Sequence, residues 1–363
     1  MREPTPRPCY YAEYLRLDTL LASQVPESTR LGRPAHDEML FIIVHQAYEL
    51  WFKQILHELD RIQTDFAHDT VEDADLGRIV HGLDRINEIL KLIIHQLDVL
   101  ETMTPHDFLD FRDLLIPASG FQSVQFRAIE IRLGLRREQR LLIGDKPYEV
   151  RLDDADQARI EAAEQMPKLI AQLDQWLART PFVAMGGYAF GTAYRDAVVR
   201  MLEADAARIR DNDSMSDVQR AVESKAIAGA LDRFRAIFEP VDGPSPWRMS
   251  LAAVQAALFI TVYRDRPVLQ LPYRLLAALM DIEENLTLWR YRHALMVQRM
   301  IGVKIGTGGS SGQDYLRSTA EQHKIFDDLF QLSTYLIPRS ALPPLPPDVE
   351  RSMGFVYAAR PQT

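Results

Sequence analysis

The sequence predicts an all-α fold, and three observations lead to that prediction. Proline, the strongest helix breaker, is concentrated near the N-terminus, around 240–272 and from Pro338 onward, which leaves long stretches without it. Apolar residues in those stretches recur every three or four positions, the period of an amphipathic helix. Alternating strand patterns bounded by hairpin turns are scarce. We therefore expect a large, bundle-like helical core.

The two strongest helical patterns are early in the chain. Residues 36–60 carry apolar side chains at helical spacing after an acidic first turn, which favours a helix N-terminus. Residues 75–100 repeat the same period over a similar length. Five further helices are predicted at 156–177 (kinked or broken near Pro167), 194–210, 216–238, 271–300 and 315–332. Between and after these, we expect residues 134–152 to form an exposed, charged loop and 333–348 to run extended over the surface.

Composition and charge narrow the function classes. The 363 residues include 42 Lys and Arg against 51 Asp and Glu, and the net charge of −9 disfavours a nucleic-acid partner. The single cysteine, Cys9, cannot form an internal disulfide or a thiolate cluster, so histidine or carboxylate would hold any metal. The apolar stretch 251–263 is too short to span a bilayer and no signal-like region precedes it, so we expect a cytoplasmic protein without a membrane partner.

His45 is the first candidate for chemistry. It lies in FIIVHQAYELWF, where Phe41, Tyr48 and Phe52 share its helical face and would surround the imidazole with aromatic rings. The alternative is a buried histidine whose ring simply bonds to a neighbouring helix. The pattern alone leaves both open.

His293 is the second candidate. Trp289, Met296 and Met300 lie on the same face of its predicted helix, so one imidazole stands among apolar side chains. A porphyrin needs one axial nitrogen and an apolar slot, although the same stripe is also typical of plain helix packing. The other seven histidines lie in polar or acidic stretches and are predicted to be surface or capping residues: His36, His57, His68, His81, His95, His106 and His323.

Two further features could bind a small substrate. Arg112 follows Phe108 near a predicted helix end, where a guanidinium could clamp a carboxylate or pair with Asp110 or Asp113. The glycine-rich run 306–312, GTGGSSG, lacks the lysine and the preceding strand of a P-loop. It could close over a substrate with Thr307 as a donor, or merely link two helices. Together with the two histidines, these features would suit a flat aromatic substrate that carries one carboxylate.

Long motifs spread over the chain closely resemble the tryptophan 2,3-dioxygenase family. From about Tyr11 to Pro338 they are, in order, YAEYLRLDTLL, HDEMLFIIVHQAYELWFKQILHELD, FRDLLIPASGFQSVQFR, WLARTP, RHALMVQRMIG, GTGGSSG, YLRST and FDDLFQLSTYLIPR. The resemblance implies an all-α enzyme that contains haem b and uses O2 as co-substrate. Its reaction would insert both oxygen atoms across the indole C2–C3 bond of L-tryptophan and give N-formylkynurenine, the first step of tryptophan catabolism by the kynurenine pathway.

The resemblance also implies roles for individual residues. His293 matches the axial ligand of the haem iron, and Ser119 and Gly120 match the turn beside the haem. His45 matches the catalytic histidine that hydrogen-bonds the indole N–H. The residues that match the substrate pocket are Phe41 beside the indole, Arg112 on the carboxylate, Thr307 on the ammonium and carboxylate, Phe108 and Leu115 in the walls, and Tyr11, Tyr14 and Leu15 from a neighbouring subunit.

A homotetramer is implied as well, and with it a division of the chain into three parts. Residues 1–33 would form an arm that packs on a neighbouring subunit, 34–338 a single helical haem domain with a helical insertion around 190–245, and 339–363 a proline-rich tail. Gln313 departs from the family pattern, in which some members carry tyrosine directly after GTGGSSG. Two alternatives stay open: a related haem oxygenase that acts on a modified tryptophan, and a haem-binding protein without catalysis.

Overall fold

The computed structural model describes residues 8–140, 142, 147–239, 245–302 and 312–354, and its regular structure is almost entirely helical. This confirms the predicted all-α fold class. Within these ranges the only strands are Ala184–Met185 (β1) and Tyr188–Ala189 (β2), which pair antiparallel.

The α-helices of the same ranges are Tyr11–Tyr14 (α1), Leu17–Leu20 (α2), Glu27–Arg30 (α3), Glu38–Phe66 (α4), Asp73–Leu100 (α5), Pro105–Arg112 (α6), Val124–Leu133 (α7), Asp154–Gln165 (α8), Leu169–Leu177 (α9), Phe190–Arg210 (α10), Asp217–Phe238 (α11), Leu251–Val262 (α12), Pro267–Ile301 (α13), Gly312–Gln322 (α14), Asp327–Gln331 (α15) and Pro347–Ser352 (α16). Short 3-10 turns cover Asp113–Leu115, Gly120–Gln122, Arg137–Gln139, Tyr148–Arg151, Pro181–Val183, Leu332–Tyr335 and Arg339–Ala341.

Three long helices form the centre of the fold, with α5 packed between α4 and α13. Their apolar faces are buried in one continuous core, as their helical period predicts. Polar side chains within this core find backbone acceptors on the neighbouring helix. The Tyr48 hydroxyl donates to the Ile93 carbonyl at 2.8 Å, and the Asn87 amide donates to the Ala278 carbonyl at 2.9 Å. These bonds fix the register of α5 against both partners, because a buried donor without an acceptor is costly.

The predicted long helices are confirmed, with small shifts at their ends. Of the kink or break predicted near Pro167, the structure shows a break, which separates α8 from α9. Helix α13 begins at Pro267, before the predicted start at residue 271, because proline suits the first helical position. The helix also continues through Pro272, although this residue has no backbone N–H to donate. The predicted start beside this proline is therefore too late in the chain.

The prediction of one helix over 315–332 is wrong, since α14 and α15 are separate helices. Between them, the carboxylate of Glu283 on α13 accepts the backbone N–H of Ile325 at 2.7 Å and of Phe326 at 3.0 Å. A buried acceptor from another helix thus satisfies groups that a continuous helix would have bonded internally. The break carries the side chain of His323 into the protein interior.

The proline-rich segment 333–348 lies largely at the surface, as predicted, but buried tyrosines anchor its backbone to the fold. The hydroxyl of Tyr194 donates to the Tyr335 carbonyl at 2.7 Å, and that of Tyr263 donates to the Pro343 carbonyl at 2.6 Å. Helix α16 then buries Val349 in the core. Proline stops helix formation here but leaves carbonyl oxygens that buried tyrosines can use.

The charged segment 134–152 is less exposed than predicted. Among its described residues, Leu135, Tyr148 and Leu152 are buried, and the Arg140 side chain is only 8% exposed. The reversal begins at Gly134, which ends α7 with a φ of +123° and turns the chain back towards α9. Only glycine adopts such a conformation without strain.

Gly134→Ala should lower the free energy of unfolding more than an ordinary glycine substitution. The positive φ costs about 1 to 3 kcal/mol for a residue with a side chain. The new Cβ would also collide with Ile170 Cγ2 and lie 3.3 Å from Arg248 Nη2, and such overpacking costs roughly 1 to 3 kcal/mol more. Urea unfolding followed by circular dichroism measures the sum.

The matched control is Gly187→Ala in the turn between β1 and β2. Gly187 has a φ of +81°, but an added Cβ there meets no atom within 4 Å. Its substitution should therefore show only the backbone cost. Equal destabilisation by the two variants would contradict the close contact between Gly134 and α9.

Helices α10 and α11 pack against each other and contact α12. They occupy the predicted insertion around 190–245, of which residues 240–244 lie outside the described part. Helix α12 is almost wholly apolar and buried in the core. None of the described helices combines the length and the apolar character needed to cross a membrane.

Candidate active site

A cavity of about 270 Å³ lies between α4, α6, α13 and α14, near the lower end of the ~300 to 1,000 Å³ typical of ligand sites. Aromatic, aliphatic and methionine side chains form most of its wall. The polar and charged residues on the wall include His45, Glu49, Arg112, Ser119, Ser123, Arg127, Glu130, Arg290, His293, Tyr315 and Thr319. Such a cavity suits a largely apolar ligand with a few fixed polar points.

Aromatic rings of α4 and α6 form one part of the wall. The Phe41 ring centroid lies 4.0 Å from that of His45 and 5.7 Å from that of Phe108. The buried ring of Phe111 meets Phe41 edge-on at 5.6 Å. Helix α6 is held in place at its N-terminus by a capping box at Thr104. A flat ring that enters the cavity would therefore meet a preformed aromatic surface.

The imidazole of His45 presents a hydrogen-bond acceptor to the cavity. Its Nδ1 lies 2.7 Å from the Phe41 carbonyl oxygen, one helical turn earlier. Because a carbonyl oxygen only accepts, Nδ1 carries the proton and the lone pair is on Nε2. The ring is exposed to the cavity, and protein atoms pack around it. This burial lowers the pKa of His45, although the Phe41 carbonyl and the charge of Glu49 oppose the change.

His293 projects from α13 beside Trp289, with 5.0 Å between the two ring centroids. Its Nδ1 is buried and has no hydrogen-bond partner among the described residues. Burial, with a smaller effect of His45, lowers the pKa of His293 to about 4. The imidazole is therefore neutral at pH 7, which is the state in which histidine binds metal ions.

Arg112 lies where α6 passes into the 3-10 turn that follows it, and its guanidinium lines the cavity. The side chain is 14% exposed. Its Nη1 lies 4.0 Å from an Asp113 carboxylate that is 83% exposed, so solvent screens this ion pair strongly. A carboxylate within the cavity would meet the same guanidinium in a far less polar environment.

Buried charged residues form another part of the wall. Glu130 of α7 accepts hydrogen bonds from Arg290 at 2.8 Å and Arg127 at 3.0 Å, and lies 3.1 Å from Nδ1 of His323. Burial opposes ionisation of Glu130. The His323 hydrogen bond and the two arginines outweigh that effect and hold the pKa of Glu130 well below its ordinary value. Two guanidinium groups against one carboxylate leave excess positive charge beside the cavity.

Comparison with known proteins identifies the family of this chain. Residues 5–336 match the family described as tryptophan 2,3-dioxygenase. The chain belongs to the tryptophan 2,3-dioxygenase family. This confirms the resemblance seen in the sequence motifs.

Relatives in the tryptophan 2,3-dioxygenase family match nearly the full chain. The tryptophan 2,3-dioxygenase of Alteromonas mediterranea is 47% identical over 353 residues, which cover 96% of this chain and 98% of the relative. That of Bdellovibrio bacteriovorus is 47% identical over 355 residues, or 96% and 99% of the two chains. That of Dictyostelium discoideum is 44% identical over 355 residues, or 96% and 89%.

In this member of the tryptophan 2,3-dioxygenase family, most of the residues that the sequence analysis assigns to the active site line the cavity. Those on its wall are Phe41, His45, Phe108, Arg112, Ser119, Gly120 and His293. Leu115 packs half-buried against the main core and is not among the lining residues. Tyr11, Tyr14 and Leu15 are exposed on the N-terminal arm. Thr307 lies outside the described residues.

The sequence did not reveal the charged wall of this tryptophan 2,3-dioxygenase family member. The prediction that His323 is a surface or capping residue is wrong, because its side chain is 1% exposed and bonds to Glu130. The available signal was the spacing of Arg127 and Glu130, three residues apart on one helix. That spacing is equally typical of exposed ion pairs, so it does not indicate a buried cluster.

Proposed function

We propose that this chain is a haem-dependent enzyme that adds both atoms of O2 across the indole C2–C3 bond of L-tryptophan to give N-formylkynurenine. Membership of the family supports the proposed reaction, since relatives that are 42–47% identical are named tryptophan 2,3-dioxygenases. The cavity supports the proposed residue roles, because its wall includes His293, His45 and Arg112 from three helices. The comparisons favour neither the haem oxygenase of modified tryptophan nor the haem-binding protein without catalysis.

The chemistry of the cavity fits haem b on three grounds. His293 would hold the iron, because its imidazole lines the cavity and is neutral. Arg127 and Arg290 would balance the acidic propionates of the haem, because they bring excess positive charge to the wall. The turn at Ser119 and Gly120 borders open space, since a Cβ added to Gly120 would meet no atom within 4 Å.

L-tryptophan would be fixed at several points. Nε2 of His45 accepts the indole N–H, because the proton on Nδ1 is held by the Phe41 carbonyl. The Phe41 ring packs beside the indole, and Arg112 pairs with the substrate carboxylate. We assign Thr307, outside the described residues, to the ammonium and carboxylate on the basis of the GTGGSSG motif.

When bound, the haem supplies the iron at which O2 is activated for attack on the electron-rich indole. The residues of the chain contribute orientation and exclusion of water. Holding the indole N–H at His45 and the carboxylate at Arg112 restricts the substrate to one orientation. His45 holds the indole N–H as a hydrogen-bond acceptor. The apolar wall keeps bulk water from the reacting atoms.

We further propose a homotetramer in which the arm, residues 1–33, packs on a neighbouring subunit. Tyr11 and Tyr14 are 75% and 76% exposed on α1, and Leu15 is 40% exposed. Large apolar side chains grouped at a surface are typical of a site that another chain covers. The division into a single domain at 34–338 and a tail at 339–363 is a proposal as well. The main buried core, which begins at Val44, supports the single domain, but it also includes Val349 and Met353 of the tail.

Turnover under labelled O2 tests the proposed reaction. We expect the haem-loaded, reduced protein to convert L-tryptophan into a product with two labelled oxygen atoms, because both atoms enter from one O2 molecule. Mass spectrometry of the product measures this, and a pyridine haemochrome assay gives the haem content. Without L-tryptophan, steady O2 uptake should stop.

Two results would contradict the dioxygenase assignment in different ways. A product with one labelled atom would indicate hydroxylation. Full haem content without any substrate-dependent O2 uptake would indicate a haem-binding protein without catalysis.

A further inference from the structure

A second cavity, of about 350 Å³, lies where the end of α7 meets α9 and the segment before α12. It contains none of the residues used in the proposed reaction. We call it the basic cavity; its lining residues are Gly134, Leu135, Arg136, Arg137, Arg140, Glu164, Lys168, Ile170, Ala171, Asp174, Arg248 and Met249. Five of these side chains are cationic and two are anionic, in a chain whose net charge is −9. Positive charge is therefore concentrated here against the trend of the whole molecule.

The two acidic residues of the basic cavity are already engaged. Glu164 forms an ion pair with Arg140, and its other carboxylate oxygen lies 3.7 Å from Nζ of Lys168. Asp174 accepts the backbone N–H of Ser250 at 2.6 Å. These carboxylates thus support the local fold and neutralise only part of the positive charge.

Arg140 offers unused hydrogen-bond donors. Its side chain is 8% exposed, and its Nε and Nη1 are buried without a hydrogen-bond acceptor among the described residues. The carboxylate of Glu149 lies 3.7 Å from Nη1, too far for a hydrogen bond. A buried guanidinium normally has its donors satisfied, so Arg140 keeps hydrogen-bonding capacity beside the cavity that the described residues do not use.

The other three arginines of the basic cavity line the same wall. Arg248 is anchored by the carbonyls of Gly134 and, at 3.3 Å, of Ile325. Burial and then the charge of Arg136 lower the pKa of Arg248 to about 10. Arg136 and Arg137 are exposed at the rim. Among the described residues no ion pair engages any of these three arginines, and the carboxylates of Asp328 and Glu283 offset only part of the charge effect on Arg248.

We propose that the basic cavity binds a compact anion with two or more phosphate or carboxylate groups, held by Arg140 within the cavity and by Arg136 and Arg137 at its rim. The planar fork of a guanidinium matches either oxyanion. The volume lies within the range of small-molecule sites, so the ligand is a small molecule rather than a macromolecule. More than one negative charge is needed to balance the surplus of cations.

Titration calorimetry of the haem-loaded protein with pyrophosphate and, separately, with citrate tests this inference. Saturating L-tryptophan occupies the active-site arginine, and constant ionic strength removes general screening. We expect one anion bound per chain at this cavity. Tighter binding of pyrophosphate would identify a phosphate ligand, and tighter binding of citrate would identify a carboxylate ligand.

The variant Arg136→Gln/Arg137→Gln should weaken that binding by roughly tenfold or more, because hydrogen bonds to charged groups contribute substantially to affinity. Both residues are exposed, so the fold should persist. The matched control is Arg208→Gln/Arg210→Gln on α10, which removes the same charge from side chains that are 78% and 75% exposed. It should bind like the parent.

Either of two results would overturn the inference. One is the absence of millimolar or tighter binding of both anions to the parent. The other is equal weakening by the two double variants, which would show that net charge rather than this cavity governs the interaction.

Discussion

His293→Ala is expected to lose most of its haem and, with it, the dioxygenase activity. The imidazole is half-buried and neutral, and its Nδ1 has no other partner among the described residues, so its removal leaves an apolar wall with no axial nitrogen. Loss of a mere hydrogen-bond partner of a metal ligand typically costs about 10- to 100-fold in metal affinity, and loss of the ligand itself should cost at least as much. The pyridine haemochrome assay gives haem per chain for variant and parent.

His68→Ala is the matched control, because His68 is exposed just after α4. It should retain parental haem content. Imidazole added to His293→Ala should restore haem binding, because the deleted side chain leaves room for it. A His293→Ala protein with full haem content and an unchanged absorption spectrum would show that another group holds the iron.

Arg112→Ala should mainly weaken the binding of L-tryptophan. Removing one partner of a desolvated charge pair costs about 2 to 5 kcal/mol, which corresponds to roughly 30-fold to several thousand-fold in affinity. Equilibrium binding of L-tryptophan to the haem-loaded variant measures the loss directly. Arg112→Lys should fall between parent and alanine variant, because lysine keeps the charge but lacks the planar fork.

Tryptamine, which lacks the carboxylate, tests whether the lost energy belongs to that group. The parent should strongly prefer L-tryptophan, and Arg112→Ala should keep only a small part of that preference, because Thr307 is the other residue assigned to the carboxylate. Arg208→Ala, an exposed substitution on α10, should keep the parental preference. An Arg112→Ala protein that still prefers L-tryptophan as strongly as the parent would remove Arg112 from the carboxylate site.

Most of the helical architecture was predictable because its determinants are local. The apolar period of α4 and α5 and the proline between α8 and α9 lie within the segments that they shape. The separation of α14 from α15 was not predictable, because it depends on Glu283, which accepts the N–H of Ile325 from 42 positions earlier in the chain. The packed tail likewise depends on tyrosine donors from α10 and from the end of α12.

The candidate site was predictable in parts. Apolar faces around His45 and His293 follow from helical spacing, but their meeting in one cavity depends on the packing of α4, α5 and α13. The resemblance to a family supplied the roles that spacing left open. The basic cavity was missed because a run such as 136–140 is typical of solvent-exposed loops, and the sequence does not show that α9 and Arg248 close over it.

The carboxylate of Glu130 joins parts of the chain that are far apart in sequence. Arg290 lies 160 positions away and His323 lies 193 positions away. Closing loops of that length carries an entropic cost that local helices do not have, and such contacts slow folding. The charged wall therefore exists only after nearly the whole chain has folded. A chain that ends before His323 therefore cannot complete this charged wall.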